Sequence, residues 1–120
     1  MRVVAVTGIN GKTTVAHLIA ELFESVGQAT ACLGTVGNRV AGAELAATHT
    51  TPDSAELQRL LRRHRDGGGV AACLEASSHA LDQERLAGLS VDVAVFTNLF
   101  VDHLDYHGDL ETYARSKQRL

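Results

Sequence analysis

The run Thr7-Gly8-Ile9-Asn10-Gly11-Lys12-Thr13-Thr14 is the first place in this chain where residue types and spacing could do chemistry. Glycines let backbone N–H groups close around phosphates, a following helix N-terminus adds positive potential, and a lysine such as Lys12 reaches outer phosphates. Thr13 adds a hydroxyl for Mg²⁺. The common phosphate loop has a glycine five residues before Gly11, where this chain has Val6, so the loop is a shortened variant. Glu75, at the end of an apolar run, offers a hard oxygen suited to Mg²⁺; the alternative is a carboxylate capping a helix that begins at Ser77 or Ser78. Asp102, His103, Asp105 and His107 form a third polar group. The four-residue spacing of the two histidines could suggest zinc, but no Cys accompanies them and the loop is Asp-rich. Of the 11 basic residues only Lys12 and Lys117 are lysines, which raises the question of amine chemistry at those positions.

These groups need a scaffold. The β-branched run Arg2–Val6 reads as a strand buried on both faces, stopping at Thr7-Gly8. Val15, Leu18, Ile19, Leu22, Phe23 and Val26 make one helical stripe that Gly27 ends. Ala29–Leu33 is a second strand, and Gly37-Asn38 suggests a turn within a small hairpin. A helix is expected from Thr51-Pro52-Asp53, with Thr51 as cap and Pro52 in the first turn, until Gly67-Gly68-Gly69 breaks it. Its Arg59, Arg62, Arg63 and Arg65 read as a solvated face rather than an anion patch. Val70–Leu74 is a third strand, Ser77–Leu86 a short helix and Val91–Phe96 a fourth strand. A last helix starts near Asp109 and meets no Gly, Asn or Pro before Leu120, as in a piece of a larger protein. His17 and His64 lie on helices and read as structural.

Strand–helix alternation implies right-handed crossovers and an α/β fold, a parallel sheet with helices on both faces. Ligands gather at the carboxyl ends of such strands, where the three polar groups fall. The 120 residues suit one domain, and 45% hydrophobic with 21% charged residues is a globular balance. A net charge of −3 argues against generic binding to nucleic acid or to an anionic membrane. No apolar run approaches the roughly 20 residues of a membrane span, and the opening segment is not a signal peptide, so a cytoplasmic location is expected. Cys32 and Cys73 sit in apolar runs and read as buried free thiols.

Four segments, taken in order, resemble the Mur ligase family: Thr7 to Thr14; His49-Thr50-Thr51-Pro52-Asp53-Ser54; Glu75-Ala76-Ser77-Ser78-His79-Ala80-Leu81; and Thr97-Asn98-Leu99 with Asp102 to Gly108. The similarity covers nearly the whole chain and lies nearest the branch that adds the third residue of the peptidoglycan stem. It departs at Ile9, where the family has Thr, and at Phe100-Val101, which replace a more polar pair. The resemblance implies that residues 1–120 are part of the central ATP-binding domain, without the N-terminal uridine-nucleotide domain or the C-terminal amino-acid domain. It implies ATP held by Thr7, Gly8, Ile9, Asn10, Gly11, Lys12, Thr13 and Asn98. Mg²⁺ would rest on Thr13 and Glu75, a second Mg²⁺ on His103, and Lys117 would be carbamylated. His49, Thr50, Thr51, Ser77, Gln83 and Arg85 would contact a UDP-muramoyl dipeptide, with a small amino acid as second substrate. Lys12, Glu75, His103 and Lys117 would carry catalysis in a monomeric complete enzyme.

Three other readings stand beside this one. A cyanophycin or folylpolyglutamate synthetase is opposed by Thr50-Thr51-Pro52 and Tyr106-His107-Gly108. A GTPase lacks its guanine motif, because Asn10, Asn38 and Asn98 are followed by Gly, Arg and Leu. A non-catalytic nucleotide-binding module is the third.

Overall fold

The computed structural model describes residues 1–98, 110–118 and 120. Six strands form one sheet: β1 (Arg2–Thr7), β2 (Thr30–Gly34), β3 (Gly37–Val40), β4 (Ala43–Leu45), β5 (Ala71–Glu75) and β6 (Val93–Phe96), in the order β4-β3-β2-β5-β1-β6. The β2-β5-β1-β6 part is parallel and corresponds to the four strands expected from sequence. β3 and β4 extend it antiparallel, making the sheet mixed. Gly37-Asn38 therefore lies in a strand, not a turn. The turns are Thr35-Val36 and Ala41-Gly42, the latter with φ of 49° and 76°, both left-handed as a tight hairpin turn of this kind requires.

Register sends alternate side chains to two cores. Val4, Val6, Cys32 and Cys73 meet Ala16 and Ala20 of α1 (Lys12–Ser25) on one face. Val3, Ala5, Ala31, Leu33, Ala72 and Leu74 meet Leu57, Leu60 and Leu61 of α2 (Ser54–Asp66) on the other, together with Leu81 of α3 (Ser78–Asp82). Burying each of those leucines contributes about 1.5–3 kcal/mol. The thiols are inert, since burial pushes Cys32 up to about 11 and Cys73 up to about 12.

The expected α1 stripe is split. Val15, Ile19 and Phe23 pack against the sheet, whereas Leu18 and Leu22 are 59% and 68% exposed. Small Ala16 and Ala20 face the strands directly and turn the helix away from the line drawn through its larger residues. α2 is capped by Asp53, whose Oδ1 accepts from Glu56 N at 2.9 Å; Thr51 is instead buried in the loop before it. The exposed arginines of α2 are partly committed along the helix, Arg59 to Glu56 and Arg62 to Asp66.

His64 ties α2 to the hairpin. Its Nδ1 accepts from Ala41 N at 3.0 Å, its Nε2 lies 3.2 Å from Ala29 O, and a Cβ at Gly69 would strike the ring. α3 is shorter than the expected Ser77–Leu86, ending before Glu84, which takes a left-handed φ of 54°. α4 (Leu110–Lys117) stops without Gly, Asn or Pro: Gln118 N donates to Arg115 O and Leu120 N to Lys117 O, tightening the end. Among the described residues no helix is long and apolar enough to cross a membrane.

Candidate active site

The loop between β1 and α1 opens at Gly8, where a Cβ would collide with Thr97 Oγ1. Gly11, with φ of 85°, starts α1 and gives it no side-chain cap. The first N–H groups of the helix consequently have no capping side chain and form a ready anion cradle. Asn98 braces this loop from β6. Its Oδ1 accepts from Ile9 N at 3.2 Å and Asn10 N at 3.0 Å, while its Nδ2 donates to Asn10 O at 3.0 Å. Ile9 is buried, so the side chain that departs from the family pattern points into the protein. Lys12 Nζ donates to Gly8 O and Ile9 O, both at 2.9 Å, which lays the ammonium across the loop.

Glu75 is the hub of the site. It is 1% exposed, and its Oε1 accepts from Thr13 Oγ1 at 2.9 Å and Thr35 N at 2.8 Å. Gly34 lies alongside, and a Cβ there would collide with Glu75 Oε1. Thr13 and Glu75 form a hard-oxygen pair that fits Mg²⁺. Among the described residues no group of three or more His, Cys, Asp and Glu could hold a metal ion. One carboxylate and one hydroxyl suit an ion that keeps most of its sites for phosphate and water.

Two ammonium groups share this end of the sheet. Lys117, 3% exposed, reaches in from α4 and donates to Thr7 Oγ1 at 3.3 Å and Gly8 O at 3.2 Å. Burial, and then the charge of Lys12, push its amine down to about 8. Burial also lowers Lys12, against the opposing pull of Glu75.

The opposite wall is built on Thr51, fully buried. Its Oγ1 donates to Glu75 O at 2.7 Å and accepts from Ser77 N at 3.1 Å. Ser77 Oγ caps α3 by accepting from Ala80 N at 3.1 Å. Arg85 donates to Thr51 O at 2.8 Å and twice to Gln83 Oε1, at 3.0 and 2.7 Å, fixing that amide. His49 is exposed, its Nδ1 3.1 Å from Thr48 Oγ1. Together the two walls enclose a cleft of about 770 Å³.

The profile of the Mur ligase middle domain matches residues 6–120. The chain belongs to the Mur ligase family. UDP-N-acetylmuramoyl-L-alanyl-D-glutamate–2,6-diaminopimelate ligases from Chromobacterium violaceum and Parasynechococcus marenigrum are 48% and 52% identical to this Mur ligase chain over all 120 residues. A solved structure of a ligase of the same name superposes with a TM-score of 0.85 at 48% identity, covering 99% of this chain and 24% of that one. The chain likewise spans 24% of the length of those two relatives.

Of the residues singled out in this Mur ligase sequence, Gly8, Ile9, Asn10, Gly11, Lys12, Thr13, His49, Thr50, Thr51, Glu75, Ser77, Gln83, Arg85 and Lys117 all line the one cleft. Thr7 and Asn98 stand behind it, meeting Lys117 and the phosphate loop respectively. His103, with Asp102, Asp105 and His107, lies outside the described residues. Sequence reasoning missed Thr35 and Thr48, which line the same cleft, and gave His79 a place in the Glu75–Leu81 segment but no role. Thr35 could have been found by its place just past the carboxyl end of β2, where ligands of parallel sheets collect.

Proposed function

We propose that this chain is part of the central ATP-binding domain of a ligase that joins the third amino acid of the peptidoglycan stem to UDP-N-acetylmuramoyl-L-alanyl-D-glutamate. The observation that carries the reading is a single cleft in which Lys12, Thr13, Glu75 and Lys117 face Thr50, Ser77, Gln83 and Arg85. A phosphate cradle and a wall of neutral and cationic hydrogen-bonding groups are what two substrates, a nucleoside triphosphate and an acidic peptide, need in order to meet. The names of the relatives support diaminopimelate over lysine as the added residue. The uridine-nucleotide and amino-acid domains belong to the rest of the enzyme, which acts as a monomer in the cytoplasm, without nucleic acid or membrane.

The dipeptide's terminal carboxylate attacks the γ-phosphate of ATP, giving an acyl phosphate and ADP. The amine of the incoming amino acid then displaces phosphate and loses a proton. Glycine-loop N–H groups and Lys12 stabilise negative charge on the transferring phosphoryl group, the main demand of such a step. Asn98 keeps the loop in shape. Thr13 and Glu75 would hold one Mg²⁺ and His103 would serve a second, and these ions would supply charge neutralisation on the phosphates. Arg85 and Gln83 orient the dipeptide with Thr50, Ser77 and His49, on a wall that buried Thr51 holds in place from behind. Lys117 would serve as its carbamate, formed when the deprotonated amine adds CO₂ and releases a proton to solvent, so that an anion suited to a divalent metal replaces a cation beside Lys12.

The test is the complete enzyme incubated with ATP, Mg²⁺, UDP-muramoyl dipeptide and either diaminopimelate or lysine, followed by mass spectrometry and ADP release. Tripeptide product with diaminopimelate is expected. ADP release without any peptide product, or no turnover with either amino acid, overturns the reading.

A further inference from the structure

We propose that Thr35 is a positioning residue that locks the Glu75 carboxylate and ties it to Thr50 across the cleft, so that one chain of hydroxyls registers the nucleotide half of the site against the dipeptide half. The proposal rests on the two-substrate reading given above.

Thr35 grips both oxygens of one carboxylate. Its N–H donates to Glu75 Oε1 at 2.8 Å and its hydroxyl lies 3.2 Å from Oε2. A carboxylate held at both oxygens by one residue cannot rotate about its last bond. Thr13 touches only Oε1, and its hydroxyl is the group a cation would claim. Once that hydroxyl is taken, Thr35 still fixes the carboxylate plane. The bare α-carbon of Gly34 lets the chain wrap this closely.

The same hydroxyl reaches the other wall, 3.1 Å from Thr50 Oγ1. A hydroxyl has one proton and a carboxylate only accepts. The Thr35 proton therefore goes to Glu75, and Thr35 Oγ1 accepts from the Thr50 hydroxyl. Thr50 then presents lone pairs to the cleft, so the ligand group that meets it is a donor, an amide N–H or a hydroxyl, and not a carboxylate. Thr35 is exposed at the turn between β2 and β3, where losing its hydroxyl leaves both cores intact.

Thr35→Val and Thr35→Ser in the complete ligase separate this role from a structural one. Calorimetry would measure binding of a non-hydrolysable ATP analogue across a Mg²⁺ series, with and without UDP-muramoyl dipeptide, beside KM for each substrate. Losing a hydrogen bond to a charged group should weaken Mg²⁺-dependent nucleotide binding about tenfold in the valine variant. It should also raise KM for the dipeptide and erase any mutual strengthening of the two ligands, and serine should restore all three. Should the valine variant fail to fold, the same comparison between Thr35→Ala and Thr35→Ser decides. Wild-type binding in the valine or alanine variant, or equal damage in the serine variant, overturns the proposal. Absence of ligation by the wild-type enzyme would instead refute the two-substrate reading, while Mg²⁺–nucleotide calorimetry still reports on Thr35.

Discussion

Replacing Lys117 by alanine in the complete ligase removes an amine that the structure places beside Thr7 and Gly8, next to a second ammonium. An ordinary lysine near 10.5 is only about one part in a thousand neutral at pH 7.5, and CO₂ adds only to the neutral amine. With the amine pushed down to about 8, the neutral fraction at that pH is about one in four, roughly 250-fold more than for an ordinary lysine. On the carbamate proposal, burial and the charge of Lys12 would prepare the side chain for carbamylation, and a carbamate there would relieve the repulsion. We expect Lys117→Ala to lose on the order of a hundredfold or more in turnover, the scale of removing one charge-stabilising group. Added formate or acetate should restore part of the loss by supplying the missing carboxylate. In CO₂-stripped wild-type enzyme, recovery after adding ¹³CO₂, held at one dissolved CO₂ concentration across the pH series, should quicken as the pH rises toward about 8, with a carbamate signal appearing in the ¹³C spectrum. Full turnover of Lys117→Ala without an added carboxylate would refute the reasoning, as would recovery that slows over that pH range.

Lys117→Met tests the same burial through stability. The unfolded chain holds this proton up to about pH 10.5 and the folded chain only to about 8, so wild-type stability gains with pH between those values. In CO₂-free buffer the methionine variant should melt higher at pH 7, with an advantage that shrinks as the pH rises above 8; an advantage independent of pH would count against it. Gly34→Ala should cost about 1–3 kcal/mol by overpacking and raise the Mg²⁺ requirement, because the new methyl group displaces the Glu75 carboxylate; an unchanged Mg²⁺ titration contradicts this. Glu75→Gln keeps size and loses charge, so the Mg²⁺ concentration needed for activity should rise with little change in melting temperature. The reverse pattern would make Glu75 a scaffold residue. Lys12→Ala should abolish ATP-coupled ligation with an unaltered circular dichroism spectrum, and wild-type turnover would sink the phosphate-loop assignment.

The parallel strands were legible because β-branched and apolar runs such as Val3–Val6 and Ala71–Leu74 leave few alternatives once helices separate them. The hairpin after β2 was expected but misplaced, with Gly37-Asn38 read as its turn, because Asn38, Arg39 and Glu44 interrupt any apolar alternation in β3 and β4 and the turn at Ala41-Gly42 lacks the usual Asn or Asp. The facing of α1 was misjudged for a related reason: close packing on a sheet favours Ala16 and Ala20, which a search for large apolar residues passes over. Asp53 rather than Thr51 caps α2 because Thr51 is taken by Glu75 O and Ser77 N, partners 24 and 26 residues away that no local pattern reveals. The site itself was more readable than its supports. Glycines, lysines and acids at strand ends announce chemistry by type, whereas Thr35 is an ordinary threonine until the fold brings Glu75 beside it.

The two bonds of His64 demand opposite roles from its ring nitrogens. A backbone N–H can only donate, so Nδ1 must be bare; a carbonyl can only accept, so Nε2 must carry the proton. The fold thereby selects a single neutral tautomer. Replacing the ring by one without nitrogens, as in His64→Phe, would leave the Ala41 N–H without this acceptor and loosen the Ala41-Gly42 turn from α2 while the apolar cores stay closed. Amide exchange at Ala41 would then speed up in that variant while the amides of β1 and β5 remain protected, marking the hairpin as the first part of the sheet to open.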